Sequence, residues 1–394
     1  MGGRRTGPDR RPRSPGLFRG LKRGTAKSRS NRENLSPKSV RGGNRRAGLA
    51  TTARVVFDPA AARPPENRDL RIVFHGEDTA PFADGFAALL AGPAEIALLP
   101  AALSAEADRR TYAAAQVVVA NRFGADVPAP RGLRLLHAPA AGTDGLRLDA
   151  VPPGAAVCNC FGHEGAIAEY VMAALLARCV PLADADARLR RGDWAYQSGD
   201  PARAHRELSE MTLGLCGFGH VGKAIAAGAR AFGMRVVVAN RTPPAASPLF
   251  DRAFGLDDPA FWSAADAIVV SLPLGDGTRG LVGAAALGAM RADAIILNVG
   301  RGPVIDEAAL YEALRERRIG GAVIDTWYRY PSASEPGPLP SALPFHELTN
   351  VVMTPHMSGW TKGTIDRRRR LIARNVQRLA AGEDLENVIL PKRG

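Results

Sequence analysis

The chain reads as an α/β protein built on doubly wound parallel sheets. Three features carry that reading. Short apolar runs alternate with helical patterns along most of the chain. Six such runs fall in its second half, as many strands as a full dinucleotide-binding sheet needs. One of them, Leu213 to Cys216, ends in a G-x-G-x-x-G turn that opens a helix.

Taken in order, the first strand is expected at Leu70 to Phe74. Further apolar runs follow at Glu95 to Leu99, Gln116 to Val119, Leu133 to Leu136 and Ala156 to Cys158. A long helical pattern then runs from about Glu164 to Arg191, with Ile167, Val171, Leu175 and Leu176 on one face. The second half supplies strands at 213–216, 235–239, 267–270, 294–297, 321–324 and 351–353, with a helix expected from Lys223 to Phe232. Thr364 to Ala381 reads as a basic helix whose Arg367 to Arg370 run is expected to be a solvated face.

The glycine turn comprises Gly217, Phe218, Gly219, His220, Val221 and Gly222. Its first glycine permits the tight turn, the second lets phosphates approach the backbone, and the third lets helix and strand pack closely. The helix start offers free N–H groups and a positive dipole end to a pyrophosphate. In NAD-binding versions an acidic residue at the end of the second strand accepts hydrogen bonds from the ribose 2′-hydroxyl. Asn240 stands there, followed by Arg241 and Thr242. A carboxylate would repel a 2′-phosphate, whereas Arg241 offers a planar fork of donors. NADP or NAD is therefore the expected cofactor, with NADP favoured; a merely solvated strand-end arginine is the plainer alternative.

Composition limits the other classes. The formal charge is +13, yet 15 of the 52 Lys+Arg and only 2 of the 39 Asp+Glu fall within residues 1–50. The rest of the chain carries 37 of each and is neutral, so no nucleic-acid role is expected for it. Residues 1–50 are Arg-, Gly-, Ser- and Pro-rich and are expected to be disordered. An upstream start-site artefact, a solvated extension, an RNA- or membrane-attracted arm and a transit peptide are the competing readings of them. No window approaches the roughly 18 uninterrupted apolar residues of a membrane span, and a soluble, cytoplasmic protein is expected. Four cysteines are too few for a disulfide framework, and Cys158-Asn-Cys160 without a second cluster does not make a metal site, so none is expected.

Chemistry is expected at the carboxyl ends of the strands. Asn298-Val299-Gly300-Arg301 follows one, Asp325 ends the next, and Thr354-Pro-His356 follows the last. A guanidinium beside a nicotinamide can grip a substrate carboxylate, and a histidine there can move a hydroxyl proton as hydride moves.

These segments resemble the D-isomer-specific 2-hydroxyacid dehydrogenase family over roughly residues 70–390. The resemblance is carried by Gly217 to Gly222, Ser271-Leu272-Pro273-Leu274 with Thr278-Arg279, Asn298 to Asp306, and Thr354 to Gly359. Upstream, Ala141-Gly-Thr-Asp144 and Ile167-Ala-Glu169 also match. The resemblance implies a Rossmann dinucleotide-binding domain over 166–357. It further implies a flavodoxin-like, discontinuous substrate domain over 51–165 and 358–394, with the active site between the two. By the same resemblance His356 is the acid/base and Arg301 holds the carboxylate, while Asp325 orients the nicotinamide carboxamide. Cofactor contacts are implied for the glycine turn, Asn240, Arg241, Thr242, Leu272, Pro273, Thr278, Asn298, Val299, Gly300, Asp325, His356, Ser358 and Gly359. Asn121, Arg122, Phe123, His163 and Tyr330 are implied as substrate contacts, and a homodimer forms through the long helix region.

Two departures stand out. Relatives usually carry Glu five residues after the aspartate, paired with the histidine; here Tyr330 holds that place, and Glu335 lies near in sequence. Formate dehydrogenases carry a glutamine there, in a Trp- and Pro-containing segment similar to this one. His163 stands where relatives often have Asn. The expected activity is hydride transfer between NAD(P)(H) and C2 of a small 2-hydroxy or 2-oxo acid. A formate-dehydrogenase-like activity and a nucleotide-sensing, corepressor-like binding protein are the alternatives.

Overall fold

The computed structural model describes residues 70–124, 127, 129–332 and 335–391. The basic stretch 1–50 therefore lies outside the described residues. The first lobe starts with β1 (Leu70–His75), α1 (Ala80–Ala83), β2 (Ala94–Leu99) and α2 (Glu106–Ala113). It continues through β3 (Val117–Ala120), β4 (Leu135–His137) and β5 (Ala156–Cys158). The chain then passes along α3 (Glu164–Cys179) and α4 (Leu182–Leu189) into a second lobe. That lobe holds β6 (Thr212–Cys216), α5 (His220–Ala231), β7 (Arg235–Asn240), β8 (Arg252–Gly255), α6 (Ala260–Ser263) and β9 (Ala267–Val270). It ends with α7 (Ala284–Ala289), β10 (Ile295–Asn298), α8 (Glu307–Arg315), β11 (Gly321–Ile324) and β12 (Val351–Met353). Finally α9 (Lys362–Ala381) and β13 (Val388–Leu390) return to the first lobe.

Among the described residues the strand order is β13-β5-β4-β3-β1-β2 in one sheet and β12-β11-β10-β9-β6-β7-β8 in the other. All pairings are parallel except β13 against β5. Strands such as β3, β9, β10 and β11 are buried along their whole length, because helices cover both faces of a parallel sheet. The faces of the first sheet build two cores: Val73, Tyr112, Val118 and Leu136 on one side, and Ile72, Phe74 and Val119 with Ile372 and Val376 of α9 on the other. Burying each aliphatic side chain of this kind contributes about 1.5–3 kcal/mol. In the second lobe α5 lies close against α3, with Gly228 directly beside Met172.

The second sheet runs outward from β6 in both directions, β7 on one side and β9 on the other. The crevice at the carboxyl ends of β6 and β9 is thus a topological switch point, where doubly wound sheets bind ligands.

Several expectations need correction. The helical pattern 164–191 is two helices, because Pro181 has no N–H to donate and forces the residue before it out of the helical region. Val180 accordingly sits at φ −110°, ψ 101°. The second sheet has seven strands rather than six: β8 is a short edge strand whose Arg252-Ala-Phe-Gly255 lacks a β-branched run. The antiparallel β13 was not expected either. Helix α5 starts at His220, three residues earlier than the pattern indicated. The Arg367–Arg370 run is not uniformly solvated, since Arg368 is buried and aims Nε at the Phe161 carbonyl.

Among the described residues no single helix is long and apolar enough to cross a membrane. All four cysteines are free and buried, and burial pushes the Cys158, Cys160 and Cys216 thiols up to about 12.

Candidate active site

The β6–α5 turn is shaped for an anion. Gly217 adopts φ 105°, open to glycine and strained for other residues. A Cβ on Gly222 would collide with the Gly217 carbonyl oxygen, so only glycine lets the helix start this close. Gly219, by contrast, faces open space. The Phe218 N–H donates to Asn240 Oδ1 at 3.1 Å, which ties the turn to the end of β7. Arg241 and Thr242 follow, both exposed. The His220 ring stacks on Phe161 from the loop before α3, with centroids 4.5 Å apart. A glycine turn that opens a helix, tied to the end of the next strand, fits a dinucleotide pyrophosphate.

Across the crevice, the Ser271 hydroxyl donates to the Gly217 carbonyl at 3.2 Å and Leu272 packs under the turn. The Thr278 hydroxyl donates to the Pro273 carbonyl at 2.7 Å and accepts from the Gly275 N–H at 2.9 Å, closing the loop after β9. After β10, Asn298 uses Oδ1 to accept from the Gly300 N–H (3.2 Å) and Nδ2 to donate to the Arg301 carbonyl (3.1 Å). Its amide is therefore spent on folding the Val299–Gly300 turn that aims Arg301 into the cleft.

Asp325, at the end of β11, has no solvent exposure. Its Oδ1 accepts from the Thr354 hydroxyl (2.6 Å) and the Met357 N–H (2.8 Å), and its Oδ2 from the Ser358 N–H (2.9 Å). Because Thr354 donates to Asp325, the Tyr170 hydroxyl 2.7 Å away must donate to Thr354. The Trp327 indole N–H secures the Thr354 carbonyl at 2.8 Å. These bonds hold the loop in which His356 sits at φ 58°, a left-handed conformation that costs a non-glycine residue on the order of 1 kcal/mol.

The His356 ring meets Tyr330: Nδ1 lies 3.0 Å from the hydroxyl oxygen, which also accepts from the Trp327 N–H at 3.1 Å. With that lone pair occupied, the phenolic hydrogen is free to donate to Nδ1 of a neutral imidazole, leaving Nε2–H as the donor. Desolvation holds the His356 pKa below the ordinary histidine value; the Asp325 charge opposes this and Arg301 adds to it. Burial raises the Tyr330 pKa, so the phenol stays neutral. Glu335 does not supply the missing carboxylate, because Arg329 engages both its oxygens at 3.0–3.1 Å.

From the first lobe, Asn121 donates to Asp78 Oδ2 at 2.6 Å and Arg122 is exposed beside it. Phe123 is 2% exposed and packs in the lobe core, so it shapes the loop without reaching the cleft. His163 packs against Gly359, and its Nδ1 lies 3.6 Å from Glu164 Oε1, outside hydrogen-bonding distance. Burial, helped by Arg368, lowers its pKa to about 4. Arg301 donates through Nε and Nη2 to Asp144 Oδ2, at 3.1 and 3.0 Å. Asp144 was legible in the sequence only as part of a matched motif; Tyr170, Thr354 and Asp78 gave no signal as hydrogen-bonding partners.

Comparison with known proteins agrees with this geometry. The profile of the "D-isomer specific 2-hydroxyacid dehydrogenase, NAD binding domain" matches residues 172–358. A glyoxylate reductase of Aeropyrum pernix is 32% identical over 268 residues, 66% of this chain and 77% of that protein. A D-3-phosphoglycerate dehydrogenase of Methanocaldococcus jannaschii is 31% identical over 260 residues, 65% of this chain but 47% of that longer protein, so the chain spans about half of its length. Among solved structures, a D-isomer specific 2-hydroxyacid dehydrogenase from Xanthobacter autotrophicus, in complex with NADPH and MES, superposes with a TM-score of 0.66 at 26% identity. That match covers 82% of this chain and 99% of the other.

Proposed function

The chain belongs to the D-isomer-specific 2-hydroxyacid dehydrogenase family, and from that premise we propose that it reduces a small 2-oxo acid with NADPH. Membership makes it an NAD(P)-dependent oxidoreductase of the 2-hydroxyacid class. The carrying observation is that Arg301, Asp325 and His356 follow the carboxyl ends of the neighbouring strands β10, β11 and β12, close enough for the charges of Asp325 and Arg301 to act on His356, on the sheet edge that also carries the glycine turn. In this reading the substrate domain, expected over 51–165 and 358–394, is made by the described residues within 70–165 and 358–391, with 51–69 and 392–394 outside the described residues, and residues 166–357 form the dinucleotide domain.

When bound, the cofactor supplies the hydride that reaches substrate C2. Arg301 holds the carboxylate, and His356, once protonated, gives its Nε2 proton to the carbonyl oxygen and is left neutral. Tyr330 fixes the imidazole tautomer, and Asp325 fixes the loop that carries it. Arg122, Asn121 and His163 flank the substrate. Arg241, exposed beside Asn240, supports the preference for NADPH. We also read the protein as a cytoplasmic homodimer whose charge-neutral body binds no nucleic acid; the dimer is supported by α4 and the turn after it, which leave Leu182, Leu189, Trp194 and Tyr196 exposed.

The test follows NADPH oxidation with glyoxylate, hydroxypyruvate, pyruvate and phenylpyruvate. Turnover is expected with at least one, falling by about 10²–10⁴ in His356→Ala and collapsing in Arg301→Ala. A kcat/KM preference for NADPH is expected to shrink in Arg241→Ala. Tight dinucleotide binding without turnover would move the chain to a sensing role instead.

A further inference from the structure

We infer that Asp144 is a positioning residue: it reaches over from the first lobe, holds the Nε–Nη2 edge of the Arg301 guanidinium, and leaves the terminal Nη1–Nη2 edge for the carboxylate of a 2-oxo acid. The inference rests on the reading above, in which Arg301 receives that carboxylate.

The donor inventory decides which edge is open. A guanidinium has five N–H groups in a rigid plane. Nε and Nη2 both donate to the same oxygen, Asp144 Oδ2, at 3.1 and 3.0 Å, and Nη1 donates to the Gly300 carbonyl at 3.0 Å. One N–H on each terminal nitrogen is left, and two such groups are what a bidentate carboxylate takes.

The backbone under the pair is cut to fit it. A Cβ on Gly142 would collide with Arg301 Nη2 and lie 3.0 Å from Asp144 Oδ2. Glycine two residues before the aspartate thus lets the guanidinium lie against the first lobe. The partners come from the loop after β4 and the turn after β10, in different lobes and 157 residues apart. Their side chains are 33% and 49% exposed. A pair this exposed adds little to folding stability, so its consequence lies in orientation. A long arginine side chain otherwise samples many rotamers, and fixing three of its donors removes that freedom before substrate arrives.

A competing arrangement is a latch, in which Asp144 imitates the substrate carboxylate and must be displaced. The two differ in sign. A positioning residue, when removed, weakens substrate binding, whereas a latch, when removed, strengthens it.

The experiment compares steady-state kinetics with glyoxylate and NADPH for Asp144→Ala, Asp144→Asn and Gly142→Ala against wild type, with Arg301→Ala as the reference. Asp144→Ala is expected to raise KM for glyoxylate by about tenfold or more, with a smaller fall in kcat and with NADPH Kd and Tm unchanged. Asp144→Asn keeps an acceptor oxygen and recovers part of the loss. Gly142→Ala keeps every charge yet moves KM the same way, because the guanidinium is pushed off its floor. A KM that falls in Asp144→Ala, or stays put in both Asp144→Ala and Gly142→Ala while Arg301→Ala is strongly impaired, overturns the inference alone. An Arg301→Ala variant as active as wild type removes the reading of the site and the inference with it.

Discussion

Tyr330 meets His356 where relatives place a carboxylate, and the difference is one of charge. The phenol offers a hydrogen bond to Nδ1 but no negative charge to steady an imidazolium. Carbonyl reduction needs the protonated ring, so its rate falls as pH rises through the His356 pKa, which desolvation already holds low. Installing a carboxylate raises that pKa, and the alkaline limb of the kcat/KM profile for Tyr330→Glu is expected to move up by about one pH unit or more. An unmoved limb would mean that Tyr330 does not govern the proton. At this scale the sequence was informative about placement: that Arg301, Asp325 and His356 lie at or just after the carboxyl ends of β10, β11 and β12 was legible from position alone. Asp144 as the partner of Arg301 was not, since nothing local reports a contact spanning 157 residues. Phe123 was expected as a substrate contact from the family resemblance, but it forms a parallel bridge with Leu146 and its side chain lies in the core.

Among the elements, β4 and α9 share a buried histidine. His137 has no exposure; Nε2 lies 3.0 Å from Asn375 Nδ2, and Nδ1 lies 3.1 Å from the Ala138 carbonyl. Burial lowers its pKa to about 4. Since Asn375 Nδ2 donates, Nε2 is the bare acceptor and the ring is neutral. Between about pH 6.5 and 4 the unfolded chain binds a proton that the native state refuses. Stability is therefore fully present above the unfolded pKa and is lost as pH falls, by about 3 kcal/mol for a single group of this kind. His163, also lowered to about 4, adds in the same direction. Tm is expected to drop steeply between pH 7 and 4.5, and His137→Gln to drop less over the same interval; parallel curves for the two proteins would count against His137 as the titrating group. The parallel strands were readable because β-branched runs buried on both faces leave no ambiguity. The edge strands β8 and β13 were not, because a short edge is specified by what it pairs with. Pro181 did carry the signal that splits α3 from α4, but the apolar periodicity on either side concealed it.

For the whole molecule, four of the exposed large apolar side chains, Leu182, Leu189, Trp194 and Tyr196, fall on one stretch, α4 and the turn after it. Leu182 is 74% and Trp194 65% exposed, far more than isolated surface residues need to be. If this stretch is the seam of a dimer, Leu182→Glu together with Trp194→Glu is expected to halve the mass by light scattering; an unchanged mass would place the seam elsewhere. The return of α9 and β13 to the first sheet joins the last described elements to the sheet that holds β1. Arg367 Nε donates to the Gly162 carbonyl at 2.8 Å, which anchors α9 to the loop bearing Phe161 and His163. That arrangement was inferred from family resemblance; no periodicity in the helix itself reveals which sheet it joins.

The four thiols have a practical corollary. Two sit in or beside β5 of the first sheet, at 158 and 160, and two in the second half's core, at 179 and 216. Reagents that attack sulfur reach them only when the surrounding packing opens. Peptide mapping of alkylated chains thus doubles as a clock for local breathing, able to tell which half lets solvent in first.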